Sequence, residues 1–289
     1  MFLLIPVIHL LIFSYYPIMG AQIAFRRFSP GGGIWGSEWV GLMHFQRFVG
    51  MPIFWQILRN TVFLSVYGLF AGFPLPILLA LIVNSFPFIK CKKVFQTLSY
   101  MPHFISVAVV VGMMMVLLNP RIGVIGNLYF MITGERMTNV FNSASNFPHL
   151  FVWSQVWQSI GWSSIIYIAA LSSVDPELHE AAQLDGASRL KRVLHIDLPC
   201  IRPTIVIMLI LAFGSIMNVG FERAFLMQNP LNMHRSEVIA TYVFRVGIVM
   251  GIGNFSFAAA IGLFNSSINF IMLLFVNFIA KKLGETRLI

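Results

Sequence analysis

Apolar residues dominate long stretches of this chain, and the charged residues fall in short clusters between them. Six stretches carry no Asp, Glu, Lys or Arg: residues 1–25, 60–89, 94–120, 137–174, 203–221 and 246–280. Each reaches the roughly 17–25 residues that a helix needs to cross a bilayer. Backbone amides in lipid must bond within their own segment, so each stretch is predicted to be helical. The predicted spans are 2–20, 61–84, 97–118, 151–173, 204–222 and 257–280.

Composition agrees with this pattern. Of the 289 residues, 58% are hydrophobic and 10% are charged, whereas soluble domains carry roughly 25% charged residues. We see no linker, repeat or low-complexity tract. The sequence therefore predicts an all-α integral membrane protein with six transmembrane helices in a single domain, residues 1–289.

Helix-breaking residues lie inside two of the spans. They are Gly68, Gly72, Pro74 and Pro76 in the second span and Pro102 and Gly112 in the third. Proline removes one backbone hydrogen bond, and a helix bundle can supply the freed groups with other partners. We expect these two helices to be kinked.

The net charge of +9 raises the question of nucleic acid. The basic residues are scattered over every loop, which favours contacts with membrane lipid and partner proteins instead. Ten Lys and Arg residues fall in the loops that we assign to the inside and nine in the longer outside loops. Basic density therefore favours this orientation only weakly.

Several classes of site are missing from the sequence. No GxxxxGK[ST] motif occurs, and Gly31–Gly33 is interpreted as a flexible turn, so this chain is not expected to bind ATP through a P-loop. His, Cys and acidic residues do not gather with the spacing of a metal or catalytic site. We expect no cofactor and no metal on this chain, and no enzymatic activity.

Polar uncharged residues lie in two spans: Ser215 and Asn218 in the fifth, Asn265 and Asn269 in the sixth. The two in the sixth span are four residues apart and share a helix face. Hydrogen bonding between helices explains such residues, and so does a hydrophilic path for a polyhydroxylated solute. Both interpretations stay open.

Two further groups could belong to that path. Trp153, Trp157 and Trp162 open the fourth span, where aromatic residues form an interfacial belt or could stack on a sugar ring. Glu222 and Arg223 end the fifth span at its outer mouth and are expected to form a local ion pair.

The charged segment 175–203, called the hairpin below, separates the fourth and fifth spans. Asp175 is a predicted N-cap and Pro176 a first helical residue. Gly186 should break this helix in a left-handed conformation. A second short helix should follow, which Pro199 and Pro203 stop before the fifth span begins.

Motifs within the hairpin resemble a known family. Glu180-Ala181-Ala182, Asp185-Gly186-Ala187 and Ile196-Asp197-Leu198-Pro199 match the EAA-x-x-D-G-A-x(8)-I-x-L-P loop of permease subunits in binding-protein-dependent ABC importers. The segments PIMGAQIAFRRFSP, SYMPHFIS and FERAFLMQNP look like the sugar-permease branch, which moves oligosaccharides. Members usually begin with a short basic leader, so we expect this N-terminus to be shortened.

The resemblance implies a type I ABC importer permease-like bundle in the bacterial inner membrane, with both termini cytoplasmic. It implies a second permease subunit, an ATPase dimer that binds ATP and Mg, and an extracytoplasmic solute-binding protein. The hairpin would be cytoplasmic, with a coupling helix seated in the ATPase, a turn at Gly186 and a tether at Leu198-Pro199. The implied coupling residues are Glu180, Ala181, Ala182, Asp185, Gly186, Ala187, Leu198 and Pro199.

The solute and the energy source are separate questions. The outside loops carry nine Arg against four Glu, an excess that fits an anionic, alginate-like uronate oligomer, a binding protein or lipid headgroups. The alternative function is a self-sufficient channel or an ion-coupled secondary carrier. His9 and His103 are the only ionisable residues inside the spans, which disfavours proton coupling but leaves Na⁺ open. His179 and His195 flank the hairpin and are interpreted as surface residues.

Overall fold

The computed structural model describes residues 3–86, 88–250 and 254–282. Both chain ends, and with them residue 2 at the start of the first predicted span, lie outside the described residues. The helices are α1 Leu4–Leu10, α2 Gly33–Gly36, α3 Met43–Val49, α4 Ile53–Gly72, α5 Pro74–Asn84, α6 Ile89–Tyr100, α7 Val107–Leu117, α8 Val124–Thr133, α9 Phe147–Leu171, α10 Pro176–Leu184, α11 Arg189–Arg192, α12 Leu198–Gly214, α13 Phe221–Met227, α14 Met233–Ser236, α15 Ile239–Phe244 and α16 Phe255–Lys282.

Short segments of other geometry complete the secondary structure. Strands β1 (Arg26–Ser29) and β2 (Ser37–Trp39) pair antiparallel. The π-helical segments are Leu11–Tyr15, Val193–Asp197 and Arg245–Val249, and the 3₁₀ segments are Tyr16–Phe25, Met101–Phe104 and Val140–Asn142.

Within the described ranges, four helical stretches are long and apolar enough to cross a membrane: Leu4–Phe25, Ile53–Asn84, Arg189–Gly214 and Phe255–Lys282. The pair α6–α7 would add a fifth stretch, but it is bent by 95°. Helix α9 has 25 residues but is not among them, because Ser, Gln and Trp interrupt its apolar sequence. The count of six spans therefore stays a prediction.

The third span was expected to be kinked, and the structure instead breaks it. Helix α6 ends in a 3₁₀ turn that contains Pro102, and Ser106 then caps a new helix by accepting a hydrogen bond from the Val109 amide at 3.3 Å. Proline cannot donate the hydrogen bond that would continue α6, and a serine N-cap stabilises a fresh start.

The fifth span also differs from its prediction. Pro199 lies in the first turn of α12 and Pro203 lies inside it, so neither residue stops the helix. A proline in the first turn costs no intrahelical hydrogen bond. Helix α12 ends at Gly214, earlier than expected, although the sequence beyond it is still apolar.

The described residues form two compact units. The first comprises Met1–Val62, Met217–Phe221 and Glu237–Ile268. Its core is aromatic: the ring of Phe48 lies 5.0 Å from that of Phe54 and 5.6 Å from that of Phe264. The buried Glu237 carboxylate pairs with Arg245 and accepts a hydrogen bond from Thr241.

The second unit comprises Phe63–Ile216, Glu222–Ser236 and Asn269–Ile289. Helix α9 lies at its centre and packs against α5, α6 and α12. Buried apolar residues of these helices, including Ile77, Tyr167 and Ile201, form one cluster. Because one face of α9 is buried against these helices, the polar residues Ser154, Gln158 and Ser164 on that face can be satisfied by protein. The prediction of a single domain is not tested by this division.

Candidate functional site

The hairpin begins with the predicted capped helix. The carboxylate of Asp175 accepts a hydrogen bond from the Glu177 amide at 3.0 Å, and Pro176 is the first residue of α10. A carboxylate in this position satisfies a free amide of the first turn and favours the positive end of the helix. The start of α10 is therefore set by local sequence, as predicted.

Gly186 ends α10 with the expected left-handed conformation. Its φ is +73°. The Ala187 amide donates to the Ala182 carbonyl at 2.9 Å, and the Gly186 amide donates to the Gln183 carbonyl at 3.1 Å. This pair of hydrogen bonds is a Schellman motif, which requires a residue that tolerates positive φ.

The predicted coupling residues lie mostly on the surface. Glu180, Ala181, Asp185, Gly186 and Pro199 are exposed, whereas Ala182, Ala187 and Leu198 are half-buried. Leu184, at the last turn of α10, is 90% exposed. Leu184 is therefore accessible to a partner protein from this end of α10.

The return arm of the hairpin is continuous with α12. Ser188 caps α11, a π-helical segment follows, and the helical stretch then runs unbroken from Arg189 to Gly214. A displacement of the hairpin would therefore be passed directly to a span.

Two contacts hold α10 against this return arm. Nε2 of His179 lies 3.2 Å from a carboxylate oxygen of Asp197, which is buried. Nη1 of Arg192 donates to the Gln183 amide oxygen at 3.5 Å. His179 was expected to be a surface residue, but its side chain is only 27% exposed and contacts the buried Asp197. His195 is exposed, as predicted.

The predicted path residues are not all brought together. Asn218 and Asn265 are hydrogen-bonded, with 3.2 Å between the amide nitrogen of Asn265 and the side-chain oxygen of Asn218. Asn269 is buried on α16. Ser215 caps the end of α12, and Glu222 is exposed on α13. Ser215, Asn218 and Glu222 were expected on the fifth helix. Because α12 ends at Gly214, all three lie beyond it.

The predicted ion pair between Glu222 and Arg223 is replaced by another arrangement. Arg223 is buried and donates to the Ser154 hydroxyl at 2.8 Å and to the Gln158 amide oxygen. Gln158 in turn donates to the Ile105 carbonyl. Burial lowers the pKa of the Arg223 guanidinium, and the Glu222 carboxylate opposes that shift. The sequence signal was Ser154 and Gln158 at i, i+4 on one face.

Two of the three tryptophans of α9 share an apolar groove. Trp153 and Trp157 line it together with Met113 and Leu117, and its volume is about 480 Å³. Trp153 also donates its indole N–H to the Tyr67 hydroxyl at 2.8 Å, and that hydroxyl contacts a ring nitrogen of His149. Trp162 stacks on His103 with 4.5 Å between ring centroids. Trp157 is the one without such a ring contact or hydrogen bond in the described part of the chain.

Residues that could ligate a metal do not cluster in the part of the chain that the structure describes. No group of three or more His, Cys, Asp or Glu residues that could hold a metal ion occurs within residues 3–86, 88–250 and 254–282.

Comparison with known proteins gives consistent matches. A family model described as "binding-protein-dependent transport system inner membrane component" matches residues 72–285. Protein LplB of Bacillus subtilis (strain 168) is 42% identical over 284 residues, covering 98% of this chain and 88% of that protein. The polygalacturonan/rhamnogalacturonan transport system permease protein YteP of the same organism is 42% identical over 278 residues, covering 96% and 86%.

Two crystal structures share this fold. One is of a bacterial ABC transporter involved in the import of the acidic polysaccharide alginate; its matching chain has a TM-score of 0.88 at 36% identity, covering 97% of this chain and 94% of that one. The other is of a bacterial alginate ABC transporter in complex with an alginate pentasaccharide-bound periplasmic protein, with a TM-score of 0.90 at 35% identity, covering 99% and 95%.

Proposed function

This chain belongs to the family of inner membrane components of binding-protein-dependent transport systems, and from that premise we propose that it forms, with a second permease, the path for an acidic oligosaccharide. The family resemblance of the hairpin motif and the type I permease fold are confirmed. The chain is a transport subunit of an ABC importer rather than an enzyme.

The partners follow from this assignment. ATP and Mg bind to a dimer of partner ATPase subunits, and an extracytoplasmic binding protein delivers the solute. The hairpin and both chain termini lie on the cytoplasmic side. The neighbouring crystal structure that contains a periplasmic binding protein supports the delivery step.

Coupling is proposed to occur at α10. The helix end that carries Glu180 and Leu184 is exposed, with Leu184 90% exposed, and would sit in a cleft of the ATPase. The observation that carries this proposal is the contact of His179 with Asp197, since it ties the exposed helix to the continuous stretch Arg189–Gly214. Closure of the ATPase would then move that span.

Exchange of Gly186 for alanine tests this coupling. The left-handed φ of +73° disfavours any side chain by roughly 1–2 kcal/mol, so Gly186→Ala should distort the hairpin and reduce solute-stimulated ATP hydrolysis in the reconstituted complex. Gly134→Ala is a matched control, because Gly134 has φ +74° and, like Gly186, open space around its Cβ position. Equal loss of stimulation in both variants would contradict a specific role of the hairpin.

The solute is proposed to be a uronate oligomer. One similar protein is a permease of a polygalacturonan/rhamnogalacturonan transport system, and another belongs to an importer of alginate. Both kinds of polysaccharide are acidic. The excess of arginine in the outside loops is weaker support for an acidic solute than the number of arginines indicates, because three of them are already bound within the chain. Arg27 pairs with Glu38, Arg245 pairs with Glu237, and Arg223 is bound by α9.

Competition for uptake tests the solute class. Cells that depend on this importer should lose uptake of a labelled uronate oligomer when unlabelled uronate oligomers are added, and should keep it when neutral oligosaccharides of the same length are added. Stronger competition by the neutral set would remove the acidic assignment.

The path is proposed to include the residues that the sequence predicted. The hydrogen-bonded pair Asn218–Asn265 has the strongest support, because two amide side chains can exchange their mutual bond for sugar hydroxyls. Trp157 lines a groove and offers a ring face. The remaining proposed members are Ser215, Glu222 and Asn269.

A further inference from the structure

A polar cavity and an apolar groove meet beside the hairpin in the second unit. The cavity has a volume of about 270 Å³ and is lined by Asn84, Ser85, His179, Arg189, Arg192 and Asp197, together with Val193. The groove, of about 620 Å³, lies between α5 and residues 190–198. Ser85, Arg189 and Val193 line both, so the two spaces are adjacent.

The cavity is basic. Arg189 and Arg192 bring two permanent charges, and Lys92 adds a third at the rim by donating to the Asn84 side chain at 3.3 Å. Asp197 is the one carboxylate among the described lining residues, against two arginines and the nearby Lys92. A net positive charge is therefore left for an anion.

A buried donor in this cavity lacks an acceptor. Nε of Arg192 is buried and has no hydrogen-bond partner among the described residues, and Oδ1 of Asp197 in the same cavity is likewise buried without one. A buried unsatisfied donor normally marks a missing water, ion or ligand. An anionic oxygen bound by the guanidinium group would satisfy it.

The groove is apolar and open. Leu78 and Ile82 of α5 are 52% and 54% exposed, and Leu190 of the hairpin is 68% exposed. Leu78 and Ile82 lie in the last turns of the apolar stretch Ile53–Asn84, and Leu190 lies at the start of the stretch Arg189–Gly214. Exposed apolar side chains at the ends of such stretches suit contact with lipid chains.

We propose that this site binds an anionic phospholipid, with its phosphate on Arg189 and Arg192 and an acyl chain in the groove along α5. Basic pockets between membrane helices on the cytoplasmic side recognise anionic headgroups in this way. A soluble anion would leave the groove empty, whereas a phospholipid fills both spaces. The lipid would connect α5 to the hairpin. This site goes beyond the proposed function and does not depend on which solute is carried.

Native mass spectrometry of the purified complex tests the proposal, with phosphatidylglycerol and phosphatidylcholine offered in equal amounts. The wild type should retain phosphatidylglycerol preferentially. The double variant Arg189→Gln, Arg192→Gln should retain at least about fivefold less phosphatidylglycerol. That is the effect expected from the loss of one or more basic groups at an anionic surface. Lys191→Gln is the matched control, because Lys191 is exposed between the two arginines and lines neither space.

A second variant addresses the groove without changing charge. Leu78→Trp should fill the groove and lower phosphatidylglycerol retention, whereas Leu211→Trp, at an exposed position of α12 outside the groove, should not.

Three results would overturn the proposal. The first is equal phosphatidylglycerol retention in the double arginine variant and the wild type. The second is loss of the ATPase subunit from that variant with unchanged lipid, which would assign the arginines to a protein contact. The third is displacement of the lipid by millimolar glycerol phosphate, which would assign the cavity to a soluble phosphate.

Discussion

At the scale of single residues, one glycine fixes the packing of the central helix. A Cβ atom on Gly161 of α9 would lie 2.0 Å from the backbone oxygen of Ser99 in α6 and 2.4 Å from its carbonyl carbon. Backbone atoms cannot move aside as a flexible side chain can, so α6 and α9 can approach this closely only with glycine at this position.

Gly161→Ala should therefore lower the thermal unfolding temperature of the purified complex. Overpacking of this kind costs about 1–3 kcal/mol. Gly68→Ala in α4 is the matched control, because nothing lies within 4 Å of its Cβ position, and alanine favours a helix interior by about 1 kcal/mol. Equal unfolding temperatures for the two variants would show that the helices do not approach this closely.

At the scale of elements, the hairpin was predictable where its signals are local. Asp175, Pro176 and Gly186 act on their immediate neighbours, and the structure places each in the expected role. The contact of His179 with Asp197 was not predictable, because the two residues lie far apart in sequence and only the folded hairpin brings them together.

The ends of the spans show the same distinction. Hydropathy stays high beyond Gly214, so it could not indicate that α12 ends there. The break after Pro102 had a local signal in Ser106, a residue that commonly caps helices, but apolar length alone concealed it. Proximity in sequence predicted an ion pair between Arg223 and Glu222. In the structure Arg223 is buried against α9 and binds side chains of that helix instead.

His179→Ala should loosen the hairpin. Removing this side chain takes away the 3.2 Å contact with the buried Asp197 carboxylate; since the His179 side chain is 27% exposed, we expect a cost of about 1–2 kcal/mol, below that of breaking a fully buried pair. Hydrogen exchange of the α10 amides should become faster, and solute-stimulated ATP hydrolysis should fall.

The exposed His195 provides the control for that experiment. His195→Ala removes the same side chain from the same hairpin without breaking a contact to Asp197, so α10 should exchange at the wild-type rate. Unchanged hydrogen exchange of the α10 amides in the His179→Ala variant would mean that the contact between His179 and Asp197 does not hold α10.

At the scale of the whole molecule, the sequence contains no P-loop, and the chain belongs to a family of transport components. The fold class followed from hydropathy, and the family followed from the hairpin motif. The count of six spans stays a prediction, because α9 is long enough to cross a membrane but is not among the candidate spans that the described residues give. The proposed function therefore places the energy source on a partner ATPase.

Solute accumulation in proteoliposomes tests that dependence most directly. Vesicles that contain the complete complex should accumulate a labelled uronate oligomer against its gradient only when ATP, the ATPase subunits and the loaded binding protein are all present. Vesicles that contain this chain alone should accumulate none. Accumulation by the chain alone, without nucleotide, would contradict the account and favour a self-sufficient carrier.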